Sequence, residues 1–285
     1  METPVSSRTW LITGCSSGFG LAIARTALAA GHRVVATARN LEPLKDLSGQ
    51  YDQTCLLLPL DITQRAHCVE AVKATVDRFG SLDVLVNNAG RGLVGALEEI
   101  SDSQLRANME TNFFGPINMM QAALPQMRSQ RSGFIINMGA IAGFYNEMGF
   151  SIYGGAKFGL EGVSEALAGE VRPLGIKVMI VVPGPFRTNF ISHSMDASAT
   201  KIADYDVTTG KFAGMLASIS GRQKGDPIKA AQAILKAVES ESPPTRLVLG
   251  KYAIDKVRKK LAGVEKDVAA WEAVGAATDL SSAPV

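Results

Sequence analysis

Two residues four positions apart, Tyr153 and Lys157, combine side-chain types that could move a proton. On a helix this spacing places both side chains on one face. A free phenol has a pKa of about 10 and exchanges protons poorly near neutrality. A lysine ammonium one turn away favours the phenolate and lowers that pKa. The pair therefore predicts a general acid/base tuned by its neighbour.

Gly154 and Gly155 stand between these two residues. Each glycine inside a helix costs about 1 kcal/mol relative to alanine, so the two indicate close approach of another group. A flat ligand and a packed helix both satisfy that requirement. Because a tyrosine and a lysine at this spacing are common on surfaces, the chemical interpretation depends on the rest of the chain.

A glycine-rich turn over residues 13–20, reading T-G-C-S-S-G-F-G, is typical of dinucleotide binding. It differs from the GxGxxG fingerprint, but it also follows a short apolar strand and opens a helix. Gly14 permits the tight turn, and Gly18 and Gly20 let backbone N–H groups approach a pyrophosphate. The predicted cofactor-binding residues of this turn are Gly14, Ser16, Ser17, Gly18, Phe19 and Gly20.

The end of the second predicted strand indicates which cofactor binds. Enzymes that use NAD place an acidic residue here for the adenosine ribose, whereas an arginine accepts the 2′-phosphate of NADP. This chain has Ala38 at the acidic position and Arg39 directly after it. The pattern predicts NADP (NADPH). An ordinary arginine at a strand end is the alternative.

Strands and helices that alternate along the chain must position these residues. The strands are predicted at 9–13, 33–37, 54–60, 82–87, 134–138, 176–182 and 246–249. The helices are predicted at 21–30, 63–79 (opened by a Thr63 cap), 101–127, 152–171 and 228–240. Continuously apolar strands that alternate with helices indicate an α/β fold with a doubly wound parallel sheet buried on both faces.

No low-complexity linker divides the chain, so residues 1–285 are predicted to form one dinucleotide-binding domain. The regular alternation stops after the sixth strand. Residues 188–225 are rich in apolar side chains and are predicted to be a substrate loop. A basic amphipathic tail over 251–285 follows the last strand, and a solvated helix face is its simplest interpretation.

Composition excludes several classes of protein. Hydrophobic residues make up 46% of the chain and charged residues 20%, with a formal net charge of +2, so nothing calls for nucleic acid or an acidic membrane. Three cysteines without a CxxC pair favour free thiols in a reducing compartment, and three scattered histidines predict no metal site. Residues 1–8 lack the apolar core of a signal peptide, and the apolar runs are too short to span a bilayer. A cytoplasmic protein is predicted.

Six motifs occur in the order and spacing of the short-chain dehydrogenase/reductase family, over residues 9 to about 190. They are the T-G-x-x-x-G-x-G turn, Asp61, Asn87-Asn88-Ala89-Gly90, Asn112, Tyr153 with Lys157, and Pro183-Gly184. The chain therefore resembles that family. The resemblance implies a Rossmann-type sheet of seven strands and hydride transfer between a nicotinamide and a carbonyl or alcohol carbon.

The resemblance also implies roles for single residues. Tyr153 would be the general acid/base, Lys157 would lower its pKa and hold the nicotinamide ribose hydroxyls, and Asn112 would hold a water in a proton relay. The other implied cofactor contacts are Asp61 and Ile62 at the adenine, Asn88, Ala89 and Gly90 on the adenosine side, Pro183 and Gly184 after the sixth strand, and Thr188 at the carboxamide.

One position departs from the family pattern. The family has a serine ahead of the tyrosine that bonds the substrate oxygen, and here Ala140 occupies that position. Losing one such donor commonly lowers the rate by about 10²–10³. A single loss in an otherwise complete site favours a deliberate Ser→Ala change, because decay would scatter its losses. A natural variant that uses another donor or has weak activity is the alternative.

Two functions of different classes follow. The first is an NADP-dependent ketone reductase or secondary-alcohol dehydrogenase with a hydrophobic substrate, suggested by the apolar loop and by the cluster Phe144, Tyr145, Met148 and Phe150. These apolar residues could equally pack the loop itself. The second is a dinucleotide-binding sensor or scaffold without turnover, for which Ala140 would be the mark. Glycines in the 152–171 helix and the resemblance together predict a homodimer or homotetramer.

Overall fold

The computed structural model describes residues 7–280. Two predictions therefore fall partly outside the described residues: the lack of a leader in residues 1–8, and a tail that reaches residue 285. Within 7–280 no helix combines the length and apolar character needed to cross a membrane.

A parallel sheet of seven strands forms the centre of the molecule, in the order β3-β2-β1-β4-β6-β7-β9. The strands of the described region are β1 (Thr9–Ile12), β2 (Arg33–Ala38), β3 (Cys55–Pro59), β4 (Val84–Asn87), β5 (Gly92–Val94), β6 (Gly133–Met138), β7 (Ile176–Pro183), β8 (Met195–Ala197) and β9 (Arg246–Leu249). Both β1 and β4 are buried along their whole length, as their continuous apolar sequences require. The predicted Rossmann-type α/β fold is confirmed.

Helices cover both faces of the sheet. They are α1 (Gly18–Ala29), α2 (Lys45–Gln50), α3 (Arg65–Phe79), α4 (Asp102–Met109), α5 (Gly115–Gln130), α6 (Ser151–Val171), α7 (Phe190–His193), α8 (Lys211–Ile219), α9 (Pro227–Glu239) and α10 (Lys251–Ala276). One core lies under α1 and α9, with Ala24 and Ile234 in it. The other lies under α3, α5 and α6 on the opposite face, with Met119 and Leu160 in it.

The continuous helix predicted at 101–127 is wrong. The structure has α4, then a π-helical turn at Glu110–Phe114, then α5. Pro116 lies in the first turn of α5 and has no N–H to give to the carbonyl of Asn112 four residues earlier. The chain inserts one extra residue at that point instead of continuing the α-helix.

The predicted Thr63 cap is also wrong. Helix α3 begins two residues later, after Gln64. The Thr63 hydroxyl instead donates to Oδ1 of Asp61 at 2.8 Å. A nearby carboxylate is a stronger acceptor than a neutral group, and it takes the hydroxyl away from the helix.

Residues 188–225 contain α7, β8 and α8 where the sequence predicts only a loop. Strand β8 pairs in parallel with β5, with Gly92 opposite Met195. This small sheet attaches the loop to the segment that follows β4. The predicted substrate loop is therefore folded, and the pairing of β8 with β5 fixes one of its edges. Residues 188–225 are called the roof below.

Candidate active site

A cleft of about 800 Å³ opens at the carboxyl ends of the strands. It lies beside β1 and β4, where the order of the strands reverses, which is the usual ligand site of an open α/β sheet. The structure brings nearly all the predicted site residues to this cleft. Its lining includes Gly14, Ser16, Ser17, Gly18, Phe19, Arg39, Asp61, Ile62, Asn88, Ala89, Gly90, Asn112, Ala140, Tyr153, Lys157, Pro183, Gly184 and Thr188.

The turn between β1 and α1 has the geometry of an anion cradle. Gly14 and Gly18 adopt φ of +70° and +60°, which side chains other than glycine rarely tolerate. A Cβ on Gly14 would also stand 2.8 Å from Cα of Ala89. Ser17 at the N-cap of α1 makes no side-chain capping bond. The first N–H groups of the helix are therefore available to a phosphate.

Gly20 does not line the cleft. A Cβ there would collide with the carbonyl oxygen of Gly14 and with Nδ2 of Asn88, so this glycine lets α1 pack beneath the turn. The amide of Asn88 donates to the carbonyls of Thr13 (2.8 Å) and Gly14 (3.0 Å). It joins the turn after β1 to the turn after β4. Gly20 and the side chain of Asn88 therefore hold the two turns together.

Arg39 is exposed just after β2 and lines the cleft together with Asp61. Burial acts to raise the pKa of Asp61, but hydrogen bonds from Thr63 and the charge of Arg39 hold that pKa below its ordinary value. The carboxylate is thus kept charged by its own loop. Within residues 7–280 Arg39 has no ion-pair partner closer than 4.0 Å, so its guanidinium can meet an anionic ligand.

Helix α6 holds Tyr153 and Lys157 on its buried face, where they are 7% and 5% exposed. Gly143 allows this close packing, since a Cβ there would stand 2.8 Å from Cβ of Lys157. The ammonium of Lys157 donates to the carbonyl oxygen of Met138 at the end of β6, at 2.8 Å. The lysine is thereby fixed between the helix and the sheet.

A buried polar chain sets the position of α6 on the sheet. Nδ2 of Asn87 donates to Oδ1 of Asn137 at 2.8 Å, and Nδ2 of Asn137 donates to Oγ of Ser164 at 2.7 Å. Ser164 donates in turn to the carbonyl of Leu160 within α6. Directed hydrogen bonds in a dry interior permit one register of helix on sheet.

The expected net lowering of the Tyr153 pKa is wrong. Burial raises the pKa of Tyr153 above its ordinary value of 10.0. Burial also lowers the pKa of Lys157 from 10.5 to about 8. In both cases the protein removes water from the charged form. The hydroxyl of Tyr153 is therefore protonated at neutral pH and available as a donor.

Asn112 lies in the π-helical turn and is fully buried. Its Nδ2 donates to the carbonyl of Arg91 at 2.8 Å, and its Oδ1 accepts from the amide of Arg91 at 3.2 Å. The side chain is thus engaged with the cleft wall. Its backbone carbonyl receives no bond from residue 116, because Pro116 has no N–H.

Ala140 lies directly against Tyr153. It forms one buried apolar cluster with Ala142 and Tyr153, and Phe150 and Phe190 pack on that cluster. The ring centroids of Phe150 and Tyr153 are 5.2 Å apart. A polar group added at position 140 would therefore point into the same part of the cleft as the phenol.

The roof covers the cleft with apolar and polar side chains. The apolar ones that line the cleft are Phe190, Ile191, Met195, Leu216 and Ile219, and the polar ones are Thr188, His193, Ser194, Asp196 and Gln223. Of the aromatic cluster predicted before the tyrosine, Phe150 alone lines the cleft. Phe212 packs on the far side of Phe150 with centroids 4.9 Å apart. Some of these apolar side chains therefore line the cleft and others pack against one another, and a hydrophobic substrate stays a prediction.

Glu99, which no sequence pattern singles out, bonds the roof to the segment that follows β5. This carboxylate is 3% exposed and accepts from the backbone amides of Ala96 and Ile202, each at 2.9 Å. Those bonds, first that of Ile202, hold the pKa of Glu99 below its ordinary value. Ser198 also donates to it at 3.3 Å. A single glutamate before a turn forms no sequence motif that would predict bonds to such distant residues.

We expect Glu99→Gln to raise KM for the carbonyl substrate by about 10-fold, because weakening a charged anchor costs about 1.4 kcal/mol or more. The affinity for cofactor should stay within about 2-fold, because Glu99 does not line the cleft. Steady-state kinetics and cofactor titration measure both. The matched control is Glu98→Gln, which removes only an exposed bond from Tyr205. Equal effects of the two variants would contradict the anchoring role.

Comparison with known proteins defines the class. The family model for short chain dehydrogenases matches residues 8–198. The 3-ketodihydrosphingosine reductase of Bacteroides thetaiotaomicron is 38% identical over 243 residues, 84% of this chain and 87% of that protein. A solved short-chain dehydrogenase from Streptomyces avermitilis has a TM-score of 0.91 and 42% identity, covering 96% of this chain and 100% of the other.

The chain belongs to the short-chain dehydrogenase family. Members of this family are oxidoreductases that use nicotinamide cofactors, and ElxO, solved with NADP bound, matches at a TM-score of 0.72 and 26% identity over 87% of this chain and 99% of its own. The family resemblance inferred from the motifs is therefore confirmed.

Proposed function

We propose that this protein is an NADP-dependent oxidoreductase that interconverts a hydrophobic ketone and a secondary alcohol. The observation that carries this proposal is the placement of Tyr153 and Lys157 in one cleft with the anion cradle of α1. A proton donor and a phosphate cradle in one dry site are the parts that hydride transfer needs. The name of the Bacteroides relative supports a ketone as the oxidised substrate.

The residues present fit NADP. The uncapped start of α1 would take the pyrophosphate, and Arg39 would pair with the 2′-phosphate through charge-assisted hydrogen bonds. Lys157 would hold the ribose hydroxyls near the nicotinamide. Gly90 keeps room there, because a Cβ would stand 2.9 Å from Oδ1 of Asn112 and 3.7 Å from Nζ of Lys157.

The mechanism uses few groups of this chain. When bound, the reduced cofactor supplies a hydride to the carbonyl carbon. Tyr153 holds the carbonyl oxygen within hydrogen-bond reach and gives its hydroxyl proton to that oxygen, so the ketone becomes an alcohol. The Lys157 ammonium favours the phenolate that remains. The carbonyl of Asn112 can hold a water through which a proton returns to Tyr153.

Cofactor choice is tested at Arg39. We expect Arg39→Asp to weaken NADPH binding by about 100-fold and NADH binding by less than about 5-fold, because a charge-assisted bidentate contact is lost and a repulsive charge replaces it. Fluorescence titration of each cofactor gives both dissociation constants. Arg91→Asp is a matched control, since Arg91 also lines the cleft but pairs with Asp196. A change of equal size for NADPH and NADH would refute the assignment.

A second function, an NADP-binding sensor or scaffold without turnover, rests on Ala140. The cradle and Arg39 are remote from this residue, so the cofactor would bind whether or not the protein turns over. Tight NADPH binding with no oxidation by any ketone, even after Ala140→Ser, would favour this second function over the first.

Assembly as a homodimer or homotetramer is also proposed, through the face formed by α4, α5 and α6. Two glycines of α6, Gly155 and Gly169, face open space, where a Cβ would meet nothing within 4 Å. Phe114, in the π-helical turn between α4 and α5, is 44% exposed. Small residues beside exposed aromatic rings permit close helix packing.

Light scattering at micromolar concentration should give the mass of a dimer or tetramer. We expect Gly155→Arg to lower that mass by at least half, since the added side chain has free space in one chain but none under a packed helix. Circular dichroism should stay unchanged. A monomeric mass for the unmodified protein would refute this assembly.

A further inference from the structure

The last helix, α10, leaves the body of the protein after its first turns. Among its 26 residues Ala253 is buried, and Tyr252 and Lys256 attach the start of the helix to Glu147 at 2.6 and 2.7 Å. Every residue from 258 to 276 is exposed. A helix of this length is only marginally stable in water when it packs against nothing. We therefore expect its exposed part to bind a partner surface.

The apolar residues of α10 follow the spacing of a coiled-coil seam. They recur at alternating steps of three and four along one face: Ile254, Val257, Leu261, Val264, Val268 and Trp271. These are successive a and d positions of a heptad repeat. Leu261 and Val268 are each 56% exposed and Trp271 is 67% exposed. The stripe is too continuous to be scattered surface residues.

The charges that flank this stripe change sign along the helix. Arg258 and Lys260 lie beside its first half, and Glu265 and Asp267 lie beside its second half. In an antiparallel pair of identical helices, Leu261 of one copy faces Val264 of the other. Arg258 then lies near Glu265 of the other copy and Lys260 near its Asp267. The two-fold arrangement repeats each ion pair.

We propose that α10 pairs antiparallel with α10 of a second copy of this chain. The six apolar positions then stack as Ile254 on Trp271, Val257 on Val268 and Leu261 on Val264, each layer occurring twice. Four ion pairs border the antiparallel seam. A parallel pair would keep Lys260 near Glu265 of the other copy but place Asp267 near its Glu272, so that attractive and repulsive pairs would be equal in number. This inference does not depend on the reaction proposed above.

A groove of about 690 Å³ beside α10 provides room for the second helix. It lies between α10 and α6, with Leu261 and Val264 on one side and Phe158 and Gly162 on the other. On α10 it is lined by Leu261 and Val264 of the central layer of the seam, together with Lys260, Ala262 and Glu265. A second helix in this groove would cover both walls.

A membrane surface fits this helix less well than a second copy does. Residues 261–276 carry Glu265, Asp267 and Glu272 against one cation, Lys266. This part also carries the most exposed apolar side chains of α10. An anionic membrane would repel it. The basic first half of α10 and its acidic second half match an antiparallel copy of the same helix, but they do not match a surface of uniform charge.

Charge reversal tests both the partner and the register. The acidic variant carries Arg258→Glu and Lys260→Glu, and the basic variant carries Glu265→Lys and Asp267→Lys. Light scattering at micromolar concentration should give each variant about half the mass of the unmodified protein. An equal mixture of the two should regain the full mass, because every opposed pair then has opposite charges. Full mass for each variant alone, or no recovery on mixing, would overturn the proposal.

Apolar substitutions separate the seam from the helix as a whole. We expect Leu261→Glu with Val268→Glu to halve the mass, whereas Ala270→Glu with Ala273→Glu, on the outer side, should leave it unchanged. Thermal unfolding and NADPH binding report whether each variant is folded. Flotation with vesicles of phosphatidylcholine and phosphatidylserine tests the membrane. Vesicle binding by an unmodified protein whose mass is unaffected by either pair of substitutions would overturn pairing in favour of a lipid surface.

Discussion

Replacing Ala140 with serine is expected to raise kcat for ketone reduction by about 10²–10³, the usual worth of one donor to developing alkoxide charge. Ala140 shares a buried cluster with Tyr153, so a hydroxyl there would reach the oxygen that the phenol holds. NADPH affinity should change little, because no residue of the phosphate cradle belongs to the cluster around Ala140. Following NADPH oxidation against a panel of hydrophobic ketones gives both quantities.

Two controls make this result specific. Ala142→Ser adds a hydroxyl two residues away in the same buried cluster and should not raise kcat. Tyr153→Phe in the Ala140→Ser protein should abolish the gain, because the proton donor is lost. An unchanged rate on a substrate shown to bind would mean that Ala140 is not the serine position, or that the protein does not turn over.

Lys157→Met is expected to abolish reduction and yet stabilise the fold by about 2 kcal/mol at neutral pH. Burial lowers the pKa of Lys157 from 10.5 to about 8, which corresponds to about 3 kcal/mol of cost for keeping it charged. Methionine has an apolar stem and no charge, and it forgoes the bond to the Met138 carbonyl, worth about 1 kcal/mol. Urea unfolding of the two proteins gives the difference in free energy of unfolding.

The difference in free energy of unfolding between Lys157→Met and the unmodified protein should depend on pH with a definite sign. The folded-state pKa lies below the unfolded one, so between about pH 8 and 10.5 the unfolded chain binds more protons. The cost of Lys157 is fully present below pH 8 and is relieved as pH rises through this window. The advantage of Lys157→Met should therefore shrink towards pH 10. An advantage that is constant over this range, or a less stable variant at pH 7, would contradict the buried charge.

The sheet could be predicted from the sequence because buried parallel strands are apolar runs between helices. All seven predicted strands of the main sheet are present, and the strand at 246–249 has the predicted bounds. The glycine turn could be predicted as well, because positive φ at Gly14 and Gly18 demands the residue type that is there. Local chemistry of this kind is visible in the sequence.

What could not be predicted depends on contacts between distant residues. The break after Met109 follows from one inserted residue, which helical periodicity does not reveal, although Pro116 was an available signal. The raised pKa of Tyr153 follows from burial, which outweighs a lysine that sequence spacing places nearby. Glu99 acts on Ile202, a hundred residues along the chain. Sequence periodicity predicts the helices and strands, whereas the pKa values and long-range hydrogen bonds depend on how these elements pack.

The pairing of β5 with β8 has a consequence for how the molecule opens. Three residue pairs and the bond from Gly92 to the Ser194 carbonyl attach the roof, and these residues form a sheet of their own. The main sheet can thus remain closed while the roof detaches as a cooperative unit. Amide hydrogens of β8 should then exchange with solvent at a lower opening free energy than those of β4. We expect product to leave by this partial unfolding, because the phosphate cradle at Gly14–Gly20 lies outside the roof.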